Sequence, residues 1–177
     1  MHEELEDQWA GALDPRLTAM AHPQDSHSYY NRGVSRARIG DRQGALADYN
    51  CTIELDPLHA KAYVNRGLLR DRFGDREGAL TDYDKAIELD DTSATNYYNR
   101  GNVKYRLGDR HGALADYDLA IRIDSNHAKA HYNRGFVRAS LGDRKGAQKD
   151  LLKAADLFRK QNKDWDYQSA LEKLQTI

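Results

Sequence analysis

The chain has 177 residues, enough for one domain or one short repeat array with a buried core. Its 27 basic and 28 acidic residues, with 40% apolar content, favour a charged molecule with a high ratio of surface to volume. Cys51 is the single cysteine, which excludes an intramolecular disulfide framework and a zinc site built on cysteines.

The N-terminal segment is acidic where a signal or transit peptide would be basic, and no apolar run approaches the ~20 residues of a membrane span. We therefore expect a cytoplasmic protein.

Residues 1–25 carry six acids and one base, whereas the rest of the chain has 22 acids and 26 bases. We expect this segment to be a short helix or disordered. Leu5, Trp9 and Leu13 recur at helical spacing, so residues 1–13 could form an amphipathic helix that docks on a basic surface of its own or a neighbouring molecule. A frayed terminus is the alternative.

Two tripeptides recur every 34 residues through the rest of the chain. Asn-Arg-Gly begins at four asparagines, Asn31, Asn65, Asn99 and Asn133. Gly-Asp-Arg begins at four glycines, Gly40, Gly74, Gly108 and Gly142. A fixed period of this length indicates a stack of supersecondary units, because no single unit can cover its own apolar face.

Each unit predicts two antiparallel helices. A stretch such as HAKAYVNRGLLRDRF precedes a Gly-Asp break, and REGALTDYDKAIEL follows it with apolar residues at helical spacing. Glycine at the break favours a left-handed helix end, and the aspartate after it can cap the next helix.

A 34-residue unit with small residues at the helix crossing resembles the tetratricopeptide repeat, in a subtype with Asn-Arg-Gly that is common in bacterial and photosynthetic lineages. The repeats span 26–59, 60–93, 94–127 and 128–161. The family's packing glycine at position 8 falls on Gly33, Gly67, Gly101 and Gly135, and its alanine at position 20 on Ala45, Ala79, Ala113 and Ala147. The resemblance implies an all-α, right-handed α-solenoid of four helical hairpins.

Residues 162–177 resemble the extra helix that caps such arrays, within about residues 164–176. Four of its side chains are available for packing, namely Trp165, Tyr167, Leu171 and Leu174. Without this helix the last hairpin would expose four apolar residues, Leu151, Leu152, Leu157 and Phe158.

Charged residues replace the family's usual residues at four repeat positions and place charge inside the seam between helices. Position 7 holds Arg32, Arg66, Arg100 and Arg134, and position 11 holds Arg36, Arg70, Lys104 and Arg138. Position 17 holds Arg42, Arg76, Arg110 and Arg144, and position 23 holds Asp48, Asp82, Asp116 and Asp150. Because an unpaired buried charge is costly, we expect the position 7 arginines to pair with the position 23 aspartates.

The resemblance implies that the first helix of each repeat lines a concave groove and that fourteen residues there bind a partner. They are Asn31, Asn65, Asn99, Asn133, Tyr30, Tyr98, Tyr132, Asn102, Tyr105, Lys61, Lys129, Arg38, Arg72 and Arg106. A side-chain amide has a donor and an acceptor, so a ladder of asparagines can follow an extended peptide main chain. Alternatively, each asparagine bonds only the backbone of a neighbouring repeat.

Other sites match the sequence less well. The family's clamp for a chaperone C-terminus is incomplete, with Val64 and Leu68 at two of its polar positions. His127 and His131 lie four residues apart on one helix face, but no third metal ligand is nearby, so a loop residue and a core residue are the simpler interpretation. Cys51 has no neighbouring base for nucleophilic catalysis. We expect neither a cofactor nor an enzymatic activity.

We therefore predict a protein-interaction scaffold or assembly factor that binds an extended, acidic segment of a partner protein. The alternatives are a structural module that self-associates, and a single-stranded nucleic-acid binder that uses the basic body and its tyrosines.

Overall fold

The computed structural model describes residues 24–176, which form nine consecutive α-helices without a strand in that range. The helices are α1 (Ser26–Arg38), α2 (Arg42–Leu55), α3 (Ala60–Arg72), α4 (Arg76–Leu89), α5 (Ala94–Arg106), α6 (Arg110–Ile123), α7 (Ala128–Ser140), α8 (Arg144–Lys160) and α9 (Asp164–Gln175). The first eight pack as four hairpins with a 34-residue period, and each hairpin packs against the next. The predicted solenoid of hairpins is confirmed.

The Gly-Asp break turns the chain between the two helices of a hairpin. Gly74 has φ +88°, a left-handed conformation that favours glycine, and the N–H of Asp75 donates to the carbonyl of Arg70 at 2.9 Å. The Asp75 side chain then accepts the N–H of Gly78 at 2.9 Å and caps α4. The same geometry recurs in the other three hairpins.

Two first helices begin with a histidine cap. Nδ1 of His59 accepts the N–H of Ala62 at 3.2 Å, and Nδ1 of His127 accepts the N–H of Ala130 at 3.1 Å. An accepting nitrogen carries no proton. Burial, the main cause, lowers the pKa of His127 and favours this neutral form.

The core of each hairpin forms where the two helices cross. The position 20 alanines are fully buried, and position 24 holds Tyr49, Tyr83 and Tyr117, then Leu151, each at most 2% exposed. A methyl group at Gly101 would lie 2.8 Å from Cε1 of Tyr117. Glycine therefore allows the close approach of α5 and α6.

Helix α9 covers the last hairpin, as predicted. Ala170 is fully buried, and Tyr167 and Leu171 pack against a cluster that includes Leu157 and Phe158. Two details of the prediction are wrong. Trp165 is 79% exposed and Leu152 is 53% exposed, because both side chains lie away from the contact between α8 and α9.

The position 17 arginines are also exposed, so the expectation that they lie inside the seam is wrong. They stand at the start of each second helix, where the chain has just left the turn. None of the helices in residues 24–176 is long and apolar enough to span a membrane.

Candidate functional site

The predicted site residues lie on the first helices, α1, α3, α5 and α7. Cavities of about 260, 310 and 220 Å³ occur along these helices, and ten of the fourteen predicted residues line them. These ten are Arg38, Asn65, Arg72, Asn102, Tyr105, Arg106, Tyr132, Asn133, Tyr98 and Lys129. We call the surface formed by these ten residues the groove.

The asparagine ladder is tied to the preceding repeat in two places. Nδ2 of Asn65 donates to the Tyr30 hydroxyl at 3.3 Å, and Nδ2 of Asn133 donates to the Tyr98 hydroxyl at 3.4 Å. The partner is thus a tyrosine side chain and not the backbone that the alternative interpretation specified. Asn31 is exposed, and Asn99 is half-buried.

A network of four side chains fixes the amides at the junction of α5 and α7. Oδ1 of Asn102 accepts the Tyr117 hydroxyl at 2.9 Å and Nδ2 of Asn133 at 2.7 Å. Asn133 also donates to Tyr98. Burial, the largest effect, raises the pKa of Tyr117, so its hydroxyl remains a donor at neutral pH.

This network determines what the two amides offer a ligand. The carbonyl of Asn102 is occupied by two donors, so its NH₂ group can donate outward. The NH₂ group of Asn133 is occupied by two acceptors, so its carbonyl can accept. A donor and an acceptor therefore stand side by side on the cavity of about 310 Å³, which both residues line.

The groove arginines are not equivalent. Arg38 and Arg72 line the cavity of about 260 Å³ together with Arg42, which sequence analysis had placed in the seam. Arg106 instead forms an ion pair with Asp71, whose side chain is only 9% exposed. Oδ1 of Asp71 is buried and receives no hydrogen bond in the described part of the chain. Asp71 is therefore a residue of the groove that sequence reasoning missed, because it occurs in one repeat only.

Below the groove, the predicted pairs of position 7 arginines with position 23 aspartates are confirmed in all four repeats. The shortest Nη2 to Oδ1 distances are 2.6, 2.6, 2.6 and 2.5 Å, and the aspartate side chains are at most 2% exposed. The position 11 cations add a second contact to each aspartate at 2.7 to 3.0 Å. The aspartates are therefore paired inside the seam and orient the first helices.

The same arginines also join successive repeats. Arg100 reaches Asp84 at 2.7 Å, Arg134 reaches Asp118 at 2.7 Å, and Arg66 donates to Asn50 at 3.0 Å. The acceptor stands at position 25 of the preceding repeat in each case. The hydrogen bonds to Asp116 and Asp84 both raise the pKa of Arg100, that to Asp116 having the larger effect.

His131 is a core residue and His127 a cap. Nδ1 of His131 lies 3.2 Å from Oδ1 of Asp150, and Nε2 lies 3.2 Å from the carbonyl oxygen of Ser125. Within residues 24–176, the structure has no cluster of side chains suited to a metal ion. Cys51 is a half-buried free thiol.

Trp165 extends the groove beyond the predicted residues. It lines the cavity of about 220 Å³ with Lys129, Tyr132 and Phe158.

Two predicted site residues, Lys61 and Tyr30, line none of the three cavities. Lys61 is exposed at the start of α3, and Tyr30 stacks on His59 with ring centroids 4.6 Å apart. The predicted stripe in residues 1–13 lies outside the described residues.

A stack of helical hairpins with cavities along the first helices defines an α-solenoid repeat protein. A family profile described as TPR repeat matches residues 74–108, and a profile described as Tetratricopeptide repeat matches residues 94–127 and 128–161. Together these profiles match residues 74–161. No curated protein sequence matches this chain.

Solved structures have the same fold at low sequence identity. A crystal structure of MamA is 24% identical with a TM-score of 0.75, covering 84% of this chain and 87% of MamA. YrrB, described as a TPR protein with an unusual peptide-binding site, is 20% identical with a TM-score of 0.67, covering 85% of this chain and 84% of YrrB. The first TPR of Spaghetti (RPAP3), bound to the HSP90 peptide SRMEEVD, is 20% identical with a TM-score of 0.65. The match covers 69% of this chain and 97% of the Spaghetti chain.

Proposed function

We propose that this chain is a cytoplasmic scaffold or assembly factor that binds an extended segment of a partner protein in the groove. The observation that carries the proposal is the fixed pair of amides at the junction of α5 and α7. A peptide unit presents one carbonyl and one N–H, which match the outward donor of Asn102 and the outward acceptor of Asn133.

Fixed amides favour binding because their orientation is set before the ligand arrives. A free asparagine side chain must give up rotational freedom to form two hydrogen bonds, whereas Asn102 and Asn133 are already held by Tyr117 and Tyr98. The main chain is common to all peptides, so these contacts give affinity without specifying a sequence. The peptide-binding site named for YrrB and the HSP90 peptide named for Spaghetti, two structures with this fold, support a peptide as the ligand.

The test is the affinity of a bound partner for variants of the amides. Asn133→Ala is expected to weaken binding by about 1 kcal/mol or more, because hydrogen bonds to the ligand and the orientation of Asn102 are both lost. Gln148→Ala is the matched control, since Gln148 is an exposed amide on α8. An equal loss of thermal stability and affinity in Asn133→Ala would mean that this asparagine only joins repeats.

A second role follows from the charge of the N-terminal segment. We propose that residues 1–13, which contain four acids and no Lys or Arg, compete with the partner for the groove of the same or a neighbouring molecule. The arginines that line the cavity of about 260 Å³ support this proposal through charge complementarity.

A further inference from the structure

The two ends of the groove differ in chemistry. At the end nearer the N-terminus, Arg38, Arg42 and Arg72 surround a cavity of about 260 Å³, and Arg72 shares a neighbouring cavity of about 300 Å³ with Arg76. We call Arg38, Arg42, Arg72 and Arg76 the arginine end. All four residues are exposed.

The arginines of the arginine end are not ion-paired within the described residues, although Asp71 lines the cavity of about 300 Å³ with Arg72 and Arg76. The nearby carboxylates have other partners. Asp41 and Asp75 cap α2 and α4 and also lie 3.6 and 3.7 Å from Arg36 and Arg70. Asp71 binds Arg106. Four like charges on one concave surface favour an anionic ligand.

At the other end, aromatic side chains dominate. Tyr105, Tyr132 and Phe136 line the cavity of about 310 Å³, and Tyr132 also borders the next cavity beside Trp165. We call these four residues the aromatic end. Lys129 and Asp166 line the cavity of about 220 Å³ together, and Lys173 lies 4.5 Å from the centroid of the Phe136 ring.

Trp165 is the informative residue of the aromatic end. Its side chain is 79% exposed, although a tryptophan gains more from burial than almost any other side chain. It stands in the first turn of α9, five residues before the buried Ala170, and lines the cavity of about 220 Å³. An exposed aromatic residue beside a cavity is typical of a binding anchor.

We infer that the ligand is a peptide segment with acidic side chains at one end and an aromatic side chain at the other. This inference rests on the proposed function, since the peptide main chain would cross the amides of Asn102 and Asn133, which line the cavity of about 310 Å³ at the aromatic end. The acidic side chains of the ligand contact the arginine end. Its aromatic side chain enters the cavity of about 310 Å³, which is next to the cavity that Trp165 lines.

The spacing within the ligand follows from the repeat. First helices of successive repeats lie side by side, as the contact of α3 with α5 illustrates, and packed helices are about 10 Å apart. The cavity between α1 and α3 and the cavity between α5 and α7 are two such steps apart, or about 20 Å. An extended peptide rises about 3.3 Å per residue, so the acidic and aromatic side chains are about six residues apart.

The experiment uses the full chain with Trp9→Phe, so that Trp165 alone reports binding by fluorescence. The ligands are synthetic peptides with a run of glutamates and one phenylalanine separated by about six Ala and Ser residues, made in both orders because either chain direction fits the groove. At least one order is expected to shift the Trp165 emission. Shortening the separation to about two residues is expected to weaken binding about tenfold, since both ends cannot then be occupied.

Variants locate each part of the peptide. Arg72→Glu is expected to weaken binding about tenfold, because it places a carboxylate among the three remaining arginines. Arg144→Glu is the control for a reversed charge, because Arg144 is an exposed arginine of the last repeat that lines none of the three groove cavities. With a dye on the peptide as reporter, Trp165→Ala should weaken the two-part peptide about fivefold or more and leave a peptide of glutamates alone unaffected.

The outcomes separate this inference from the proposed function. If binding depends on Asn133 but not on Arg72 or Trp165, peptide binding stands and the two-part ligand is wrong. If no peptide binds at about millimolar concentration, both are wrong. If a single-stranded oligodeoxythymidine binds instead, with affinity that falls steeply with salt, the groove is a nucleic-acid site and the inference is overturned.

Discussion

Each position 23 aspartate accepts hydrogen bonds from two cations of the facing helix. Asp82, for example, receives Nη2 of Arg66 at 2.6 Å and Nη1 of Arg70 at 2.9 Å, and its side chain is 1% exposed. The arginines keep part of their surface in water, at 15% and 27% exposure. The charge is thus buried on the aspartate side only, which makes the aspartate the sensitive partner.

We predict that Asp82→Ala lowers the free energy of unfolding by ~3–5 kcal/mol, because it leaves two guanidinium groups in the seam without their acceptor. Urea denaturation followed by circular dichroism measures the change. Asp84→Ala is the matched control. Asp84 also binds an arginine, but its side chain is 62% exposed, so its removal should cost at most ~1 kcal/mol. If both variants lose at most ~1 kcal/mol of unfolding free energy, the ion pairs of Asp82 contribute no more than an exposed pair does.

A second prediction concerns how the stabilising effect of Asp150 depends on pH. Burial alone would raise the pKa of Asp150, but hydrogen bonds from His131 and Arg134 and the charges of Arg134 and Arg138 outweigh burial and hold the pKa below its usual 3.8. A carboxyl with a lowered pKa stabilises the fold fully above pH 3.8, and this contribution is lost as the pH falls through the folded-state pKa.

Asp150→Asn should therefore cost about 2 kcal/mol or more at pH 7, and the difference from wild type should shrink in strong acid. Denaturation at pH 7 and pH 3 measures both values. Asp118→Asn serves as control, because Asp118 binds Arg134 with a side chain that is 46% exposed. A difference between Asp150→Asn and wild type that is independent of pH would contradict the prediction.

Residues that recur could be predicted from the sequence, and residues that occur once could not. The arginine–aspartate pairs were predictable because four copies of each stand at one spacing, and a buried charge needs a partner. Asp71 has no counterpart in the other repeats, so nothing in the period indicated its pair with Arg106. The seam was misjudged at Arg42 and Arg76 because helical spacing alone does not tell which turn of the helix is covered.

Among the helices of residues 24–176, α9 is the one that does not belong to the 34-residue repeat pattern. It packs mainly against α8 through Ala170, Tyr167 and Leu171, and Lys173 lies over the Phe136 ring of α7 at 4.5 Å from the centroid. The existence of this helix was predictable from the apolar residues that the last hairpin must cover. The direction of Trp165 was not, since a single exposed aromatic residue breaks no periodic pattern.

We predict that deletion of residues 163–177 destabilises the fourth hairpin first. The deletion uncovers Leu157 and Phe158, whose burial stabilises a fold by roughly 1.5–3 kcal/mol each. Hydrogen exchange should show that amides of α8 lose protection while those of α4 keep it. Trp165→Ala, which alters α9 without uncovering α8, should leave the exchange unchanged. A truncated chain that melts at the wild-type temperature would show that α9 is not a cap.

At the scale of the whole molecule, the charge is divided between an acidic N-terminal segment and a basic array. The segment of residues 1–25 has a net charge of −5 and the remaining residues have +4, by the counts of six acids against one base and 22 acids against 26 bases. Attraction between the two weakens with salt, so competition for the groove is expected to be strongest at low ionic strength.

Deletion of residues 1–22 is therefore predicted to tighten binding of the two-part peptide several-fold at low salt. If the segment docks on a neighbouring molecule, the deletion should also lower the apparent mass in equilibrium sedimentation. Trp9 fluorescence in a chain with Trp165→Phe gives a direct measurement. An emission maximum typical of water that does not respond to Arg72→Glu or to salt would contradict docking.

The arginines that join successive repeats have a consequence for how such a chain can change in length over evolution. Arg66, Arg100 and Arg134 all reach position 25 of the repeat before, where Asn50, Asp84 and Asp118 accept. Every junction therefore joins an arginine at position 7 to a side-chain oxygen at position 25 of the repeat before. Loss of the unit 60–93 by recombination would bring Arg100 to Asn50, an acceptor that Arg66 already uses. Gain or loss of one whole unit preserves each junction and alters only the length of the groove, so the span of the ligand can change without a new interface.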